Sequence, residues 1–177
     1  MYEKQVEEAL VKWLPSYYSG PWRLVSIDQQ VELPNGGRAD VISLGIREGD
    51  EEQHAILDIW ELKRGVLDIA AAAQVGTYKA AVIGFYYSHF LTSDFRPAHQ
   101  IEFRAHLVGS HVTDHPILRG LQEFASLWTY SCEPSGIKFN RFDTEWPTER
   151  SVPPTLNRIV GSLAWKTASW VTSEGGK

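Results

Sequence analysis

One segment limits the fold more than any other. From Ala55 to Lys63 the chain reads Ala55-Ile56-Leu57-Asp58-Ile59-Trp60-Glu61-Leu62-Lys63. Side chains alternate sides along a strand, and here both sides are apolar, so this strand belongs at the centre of a sheet with a layer on each face. The next long element is set up to be one of those layers. Ala70-Ala71-Ala72-Ala73 lets a helix lie close to a sheet, and Asp68 is placed to cap a helix from about Ile69 to about His89. Val75, Tyr78, Val82, Phe85 and Phe90 mark its buried side.

Upstream, Tyr2 to Leu14 has the periodicity of an amphipathic helix, with Val6, Leu10, Trp13 and Leu14 as its apolar stripe and Pro15 as its expected end. Trp22 to Leu33 and Ala39 to Leu44 read as strands around Pro34-Asn35-Gly36-Gly37, a strong hairpin turn. Downstream, Ile101 to Val108 reads as a fourth strand, Pro116 to Phe124 as a helix, and Leu127 to Cys132 and Ile137 to Phe142 as two strands. A proline-containing linker, 143–154, leads to an amphipathic helix, 155–171, whose Trp165 and Trp170 suit core packing better than base stacking. The order of helix, three strands, helix, strand and additions predicts an α/β fold with a mixed sheet. A length of 177 residues suits a single domain, 1–177, with its core over about 2–110 and a C-terminal extension over about 111–177.

Polar residues at the ends of these apolar runs need a task or a partner, because burying them otherwise costs free energy. Glu61 and Lys63 share a strand face, and Asp40 opens the preceding strand. Pairing of the two strands would bring Asp40, Glu61 and Lys63 together. Two carboxylates and a main-chain carbonyl suit a hard divalent cation such as Mg²⁺, and an adjacent ammonium can orient water or stabilise a phosphate. Gln74 and Tyr78 share a helix face, and Gln74 is placed to reach the carboxylate of the central strand. Glu3 falls on the apolar stripe of the first helix, with Glu7 at its border. Each feature also has a plainer reading: a surface ion pair, a turn aspartate, a solvent-facing glutamine, a first-turn glutamate favoured by the helix dipole. Asp58 is an oddity in an apolar strand, either locally hydrogen-bonded or a lesser site residue. His106, His111, Asp114 and His115 offer imidazole and carboxylate ligands at spacings that match no zinc pattern.

A net charge of −5 argues against a protein that coats nucleic acid, but not against one that cuts it, since a metal site is itself acidic. Arg38, Lys63, Arg64 and Lys79 provide local positive charge around the acidic centre. A single cysteine, Cys132, allows no internal disulfide and no thiolate cluster, as expected in the cytoplasm. No signal peptide and no membrane-spanning run is legible.

The set Gly37-Arg38-Ala39-Asp40, Glu61-Leu62-Lys63-Arg64-Gly65, Gln74 and Tyr78 resembles the PD-(D/E)xK nuclease superfamily, and within it the catalytic domain of the NucS (EndoMS) endonucleases. That family carries a G-R-x-D strand, an E-L-K-R-G strand and a Q-x-x-x-Y helix in this order, after a first helix bearing a glutamate. The resemblance covers roughly residues 2–110. It implies a restriction-endonuclease-like α-β-β-β-α-β core with a mixed central sheet flanked by helices. It implies a Mg²⁺-dependent deoxyribonuclease, with Mn²⁺ able to substitute, that leaves 5′-phosphate and 3′-hydroxyl ends in DNA repair, recombination or phage defence, more as an endonuclease than as an exonuclease. Carried over by match, Asp40, Glu61 and the Leu62 carbonyl would hold the metal, Lys63 would position water, and Glu3 (or Glu7) and Gln74 would complete the site. Arg38, Arg64, Tyr78 and Lys79 would face the substrate. The expected partner is DNA, with a homodimer or a partner protein as further options and no membrane. The resemblance does not extend to the N-terminal domain that NucS uses for dimer formation and DNA binding. The alternative is a catalytically silent module on the same fold that binds nucleic acid or a partner protein.

Overall fold

The computed structural model describes residues 3–49, 54–90, 100–112 and 125–142. The chain divides into two compact units, Met1–Asp143 and Thr144–Lys177, and the described residues all belong to the first. The helices expected over 116–124 and 155–171 and the linker over 143–154 lie outside the described residues, as do Asp114, His115, Trp165 and Trp170.

The first helix, α1 (Glu3–Tyr17), buries Val6, Leu10 and Leu14, spaced four apart on one face. Burial of side chains of this size contributes about 1.5–3 kcal/mol each. The helix does not stop at Pro15 as expected. A proline deprives a helix of one N–H bond, a small loss in the last turn. Here the end is still held by Ser16 Oγ donating to the Trp13 carbonyl (2.7 Å) and Tyr18 N–H to the Leu14 carbonyl (3.2 Å).

Strands β1 (Trp22–Glu32) and β2 (Arg38–Arg47) form the expected antiparallel hairpin. Its turn closes through Leu33 N–H to the Gly37 carbonyl (2.8 Å), and Gly36 takes a φ of 78°, which glycine adopts without strain. Strand β3 (His54–Leu62) pairs antiparallel with β2, from Val41↔Trp60 to Ile46↔Ala55. A two-residue strand, β4 (Val66–Leu67), precedes α2 (Ile69–Phe90). The predicted cap is in place: Asp68 Oδ1 accepts from Ala71 N–H at 2.8 Å. After α2 the chain returns as β5 (Gln100–Gly109), parallel to β3. It continues through β6 (His111–Val112), β7 (Ser126–Glu133) and β8 (Gly136–Arg141). The six-stranded sheet runs β1-β2-β3-β5-β7-β8, and β4 and β6 form a small parallel pair that the sequence did not announce.

β3 is central and covered on both sides. Toward α1, Trp60 and Leu62 pack with Val6, Leu10, Leu14, Val41 and Val108. Toward α2, Ala71, Ala72 and Val75 lie on Ala105, Leu107 and Leu127, while Tyr78 packs with Leu33, Ala39 and Ile59. The core is therefore the expected α-β-β-β-α-β arrangement around a mixed sheet flanked by helices, with the short β4 ahead of α2. No helix among the described residues is long and apolar enough to cross a membrane.

Candidate active site

The β2–β3 register brings Asp40, at the start of β2, beside Glu61, at the end of β3, because their neighbours Val41 and Trp60 are paired. Asp40 Oδ2 accepts the Leu62 backbone N–H at 2.7 Å, so the carboxylate caps the very strand that carries Glu61. Asp40 Oδ1 accepts from Gln30 Nε2 at 3.3 Å. Burial raises the Asp40 pKa above its ordinary value, against the opposing pull of the Leu62 N–H and Gln30.

Glu61 is only 3% exposed. Its Oε1 accepts from Lys63 Nζ and from Gln74 Nε2, both at 2.8 Å. Lys63 Nζ also donates to Gln74 Oε1 at 2.8 Å, and Gln74 Nε2 donates to the Tyr78 hydroxyl at 2.6 Å. Gln74 thus fastens acid and amine to each other, and Tyr78 fastens Gln74. Glu61 Oε2 is buried with no hydrogen-bond partner. Burial raises the Glu61 pKa from 4.5 to about 7; the charges of Asp40 and Glu3 add to the rise, and Lys63 opposes it.

The first helix contributes through Glu7 more directly than through Glu3. Glu7 accepts from Gln29 Nε2 (2.8 Å) and Gln30 Nε2 (2.9 Å), and the same Gln30 amide reaches Asp40. Gln30 has a φ of 54°, a left-handed conformation uncommon for a residue with a side chain. No sequence signal singled out Gln30. Glu3 is exposed, but it lines the same hollow of about 530 Å³ as Glu7, Arg38 and Asp40.

This chemistry fits a hard cation. Two oxygen-donor carboxylates lie side by side, desolvated, with one buried oxygen unpartnered. Among the described residues no group of three or more His, Cys, Asp or Glu forms a complete cage. Mg²⁺ is suited to such a site, because it keeps several waters and takes only one or two carboxylates plus substrate phosphate. Of Leu62, it is the N–H that the structure places on Asp40.

Other expected residues fall elsewhere. Tyr78, expected to face the substrate, is buried with its hydroxyl on Gln74. Arg38 and Arg64 are exposed, and the Arg64 carbonyl accepts the Tyr130 hydroxyl at 2.9 Å. Lys79 is not at the carboxylates; it lines a separate hollow with Glu102 and Arg104. Five residues beyond Gln74 is about 140° around the helix, which turns Lys79 away. His106 is spoken for as a zinc ligand, since both ring nitrogens bond within the core, to Asp58 and Trp128. His111 is exposed beside Ser110.

No protein family and no curated protein sequence matches the chain. Among solved structures it is similar to a repair endonuclease from Pyrococcus abyssi, at 16% identity and a TM-score of 0.42, over 72% of this chain and 46% of that one. It is also similar to EndoMS in its apo form, at 16% identity and a TM-score of 0.36, over 67% of this chain and 42% of that one. The chain therefore spans under half the length of either protein.

Proposed function

We propose that this chain is a DNA nuclease that hydrolyses phosphodiester bonds with a divalent cation held by Asp40 and Glu61. The observation that carries the reading is Glu61 Oε2, a buried carboxylate oxygen with no partner, beside a second desolvated carboxylate. Leaving such an atom unpaired costs about 1–3 kcal/mol or more, so it is retained where a ligand completes it. When bound, Mg²⁺ or Mn²⁺ would polarise the scissile phosphate and lower the pKa of a water. Asp40 Oδ2 stays anchored to the Leu62 N–H, which fixes that carboxylate against β3. Lys63 Nζ, held between Glu61 and Gln74, supplies positive charge at a stated place and can orient the attacking water by a hydrogen bond. Gln74 and Tyr78 keep the amine from swinging into solvent. The motif resemblance names DNA as the substrate, and endonucleolytic cleavage to 5′-phosphate and 3′-hydroxyl ends belongs to the same proposal.

The test is a cleavage panel on plasmid, linear, single-stranded and branched DNA with Mg²⁺, Mn²⁺ or chelator. Wild-type protein cuts at least one substrate with metal; Asp40→Asn, Glu61→Gln and Lys63→Ala do not. Cutting that survives these substitutions removes the site. Tight DNA binding with no cutting under any condition leaves a binding module in place of the enzyme.

A further inference from the structure

Gln29 and Gln30 are neighbours on β1, and neighbours on a strand point to opposite sides. Here both reach Glu7 of α1: Gln29 Nε2 donates to its Oε1 at 2.8 Å and Gln30 Nε2 to its Oε2 at 2.9 Å. The alternation breaks at Gln30, whose φ of 54° is left-handed. In the β1–β2 register Gln30 falls between the pairs Gln29↔Val41 and Val31↔Ala39, opposite Asp40. The same amide nitrogen donates there, to Asp40 Oδ1 at 3.3 Å. We propose that Gln30 is a positioning residue of the site: its amide ties Asp40 to Glu7, sets the plane in which the Asp40 carboxylate meets a divalent cation, and so couples the first helix to cation binding.

Stability does not explain the arrangement. Gln29 and Gln30 are exposed, and hydrogen bonds between exposed groups add little, because water replaces them. A left-handed φ on a residue with a side chain costs free energy that glycine would not pay, and residues held in this way cluster at functional sites. What the conformation does achieve is a second donor for Asp40. Oδ2 is held by the Leu62 N–H and Oδ1 by Gln30, so the carboxylate is fixed from both oxygens. A carboxylate has about four lone-pair directions, so each oxygen keeps one free for a ligand.

The donor is also of the right kind. Both neighbours of the amide nitrogen are carboxylate oxygens, so the NH₂ and not the carbonyl must face them. An ammonium or guanidinium would bridge the two carboxylates more strongly, but it would repel an incoming cation. A neutral amide orients the ligand without adding charge. Groups that orient a ligating carboxylate in this way set the affinity for the metal.

The inference rests on the proposed cation at Asp40 and Glu61, and the test keeps the positioning role apart from the nuclease reading. Wild type is compared with Gln30→Gly, which accepts the left-handed backbone and lacks the amide, and with Gln30→Lys, which keeps a donor for both carboxylates and adds a charge. The first readout needs no DNA: the melting temperature across a MgCl₂ titration. In chelator neither variant is expected to melt below wild type. In both, the Mg²⁺ concentration that gives half of the melting shift should rise about 10-fold or more. The second readout is cleavage of whichever DNA the wild type cuts. Its half-saturating Mg²⁺ concentration should rise by the same factor, with KM for DNA unchanged. A bridge that only braced the fold predicts the opposite for lysine, the stronger bridge, which would then match wild type. A wild-type Mg²⁺ response in either variant therefore overturns the proposal. So does a chelator melting temperature well below wild type in both variants, or a wild type that does not respond to Mg²⁺ at all. The expected Mg²⁺ shifts in a protein that cuts no DNA keep the positioning role and remove the nuclease. Wild type and variants that cut at the same Mg²⁺ concentration keep the nuclease and remove the positioning role.

Discussion

Two buried acids sit three residues apart on β3, and they are finished differently. Asp58 faces α1 and is fully buried; Glu61 faces α2 and is nearly so. Around Asp58 every hydrogen bond closes in one consistent direction. Trp128 Nε1 donates to His106 Nδ1 (3.1 Å), so His106 Nε2 carries the proton and donates to Asp58 Oδ1 (2.7 Å). The Tyr18 hydroxyl donates to Asp58 Oδ2 and accepts from Ser43 Oγ (2.8 Å), which in turn accepts from Trp60 Nε1 (3.0 Å). Burial keeps the His106 pKa below its ordinary value, in keeping with a neutral ring. Around Glu61 the shell stops one oxygen short. A closed polar shell holds a fold together, and an open one marks the place where a ligand is expected.

The largest expected effect separates the two. Glu61→Gln should lower cleavage about 10³-fold, about 4 kcal/mol of barrier, and leave stability unchanged or raised, because it removes a desolvated charge. Asp58→Ala should do the reverse. It strands the His106 N–H and the Tyr18 hydroxyl as buried donors and costs about 3 kcal/mol, read as a lower urea midpoint at constant m, with activity per folded molecule little changed. Full activity in the first variant, or full stability in the second, erases the distinction.

The open shell also predicts a dependence on pH and metal. The folded pKa of Glu61, about 7, lies above its ordinary 4.5, so the folded state binds the extra proton between those values. Metal-free protein should therefore lose stability as pH rises from about 4.5 to about 7, then level off. Asp40, also raised, adds to the loss in the acidic part of that range. Added Mg²⁺ should restore more of the melting temperature at pH 8 than at pH 5.5, since it competes with the proton for the carboxylates. Glu61→Gln should flatten both trends, leaving the smaller Asp40 component. Equal Mg²⁺ shifts at the two pH values would show that the missing partner of Oε2 is not a cation.

Much of this was legible along the chain because it is local. The doubly apolar β3, the Asp68 cap, the Pro34–Gly37 turn and the i, i+4 pair Gln74/Tyr78 each depend on residues within one or two elements. The meeting of Asp40 and Glu61 needed only one strand pairing. What stayed hidden is what distant segments decide. Asp58 finds partners at Tyr18 and His106, 40 and 48 residues away. Gln30 reaches both Glu7 and Asp40 through a backbone conformation that no pattern foretold. The β4/β6 pair is two residues long on each side, too short for any periodicity. Gly37 read as a turn residue, yet a Cβ there would lie 2.5 Å from Tyr78 Cε1, so its small size serves the packing of α2 as well.

The smallest effect is expected one step back from the carboxylates, at Tyr78. Its ring is held by Leu33, Ala39 and Ile59, and Phe would keep that packing. Only the hydroxyl is lost, and with it the acceptor for one hydrogen of Gln74 Nε2; the other hydrogen keeps its bond to Glu61 Oε1. A half-buried amide with one unpaired hydrogen costs about 1 kcal/mol, and the looser Gln74 lets Lys63 move. Tyr78→Phe should therefore reduce kcat about 3- to 10-fold with KM unchanged, because the hydroxyl acts through Gln74 and not on the substrate. A raised KM with kcat intact would instead place the hydroxyl against DNA. An unchanged kcat would show that Gln74 needs no fastening by the hydroxyl.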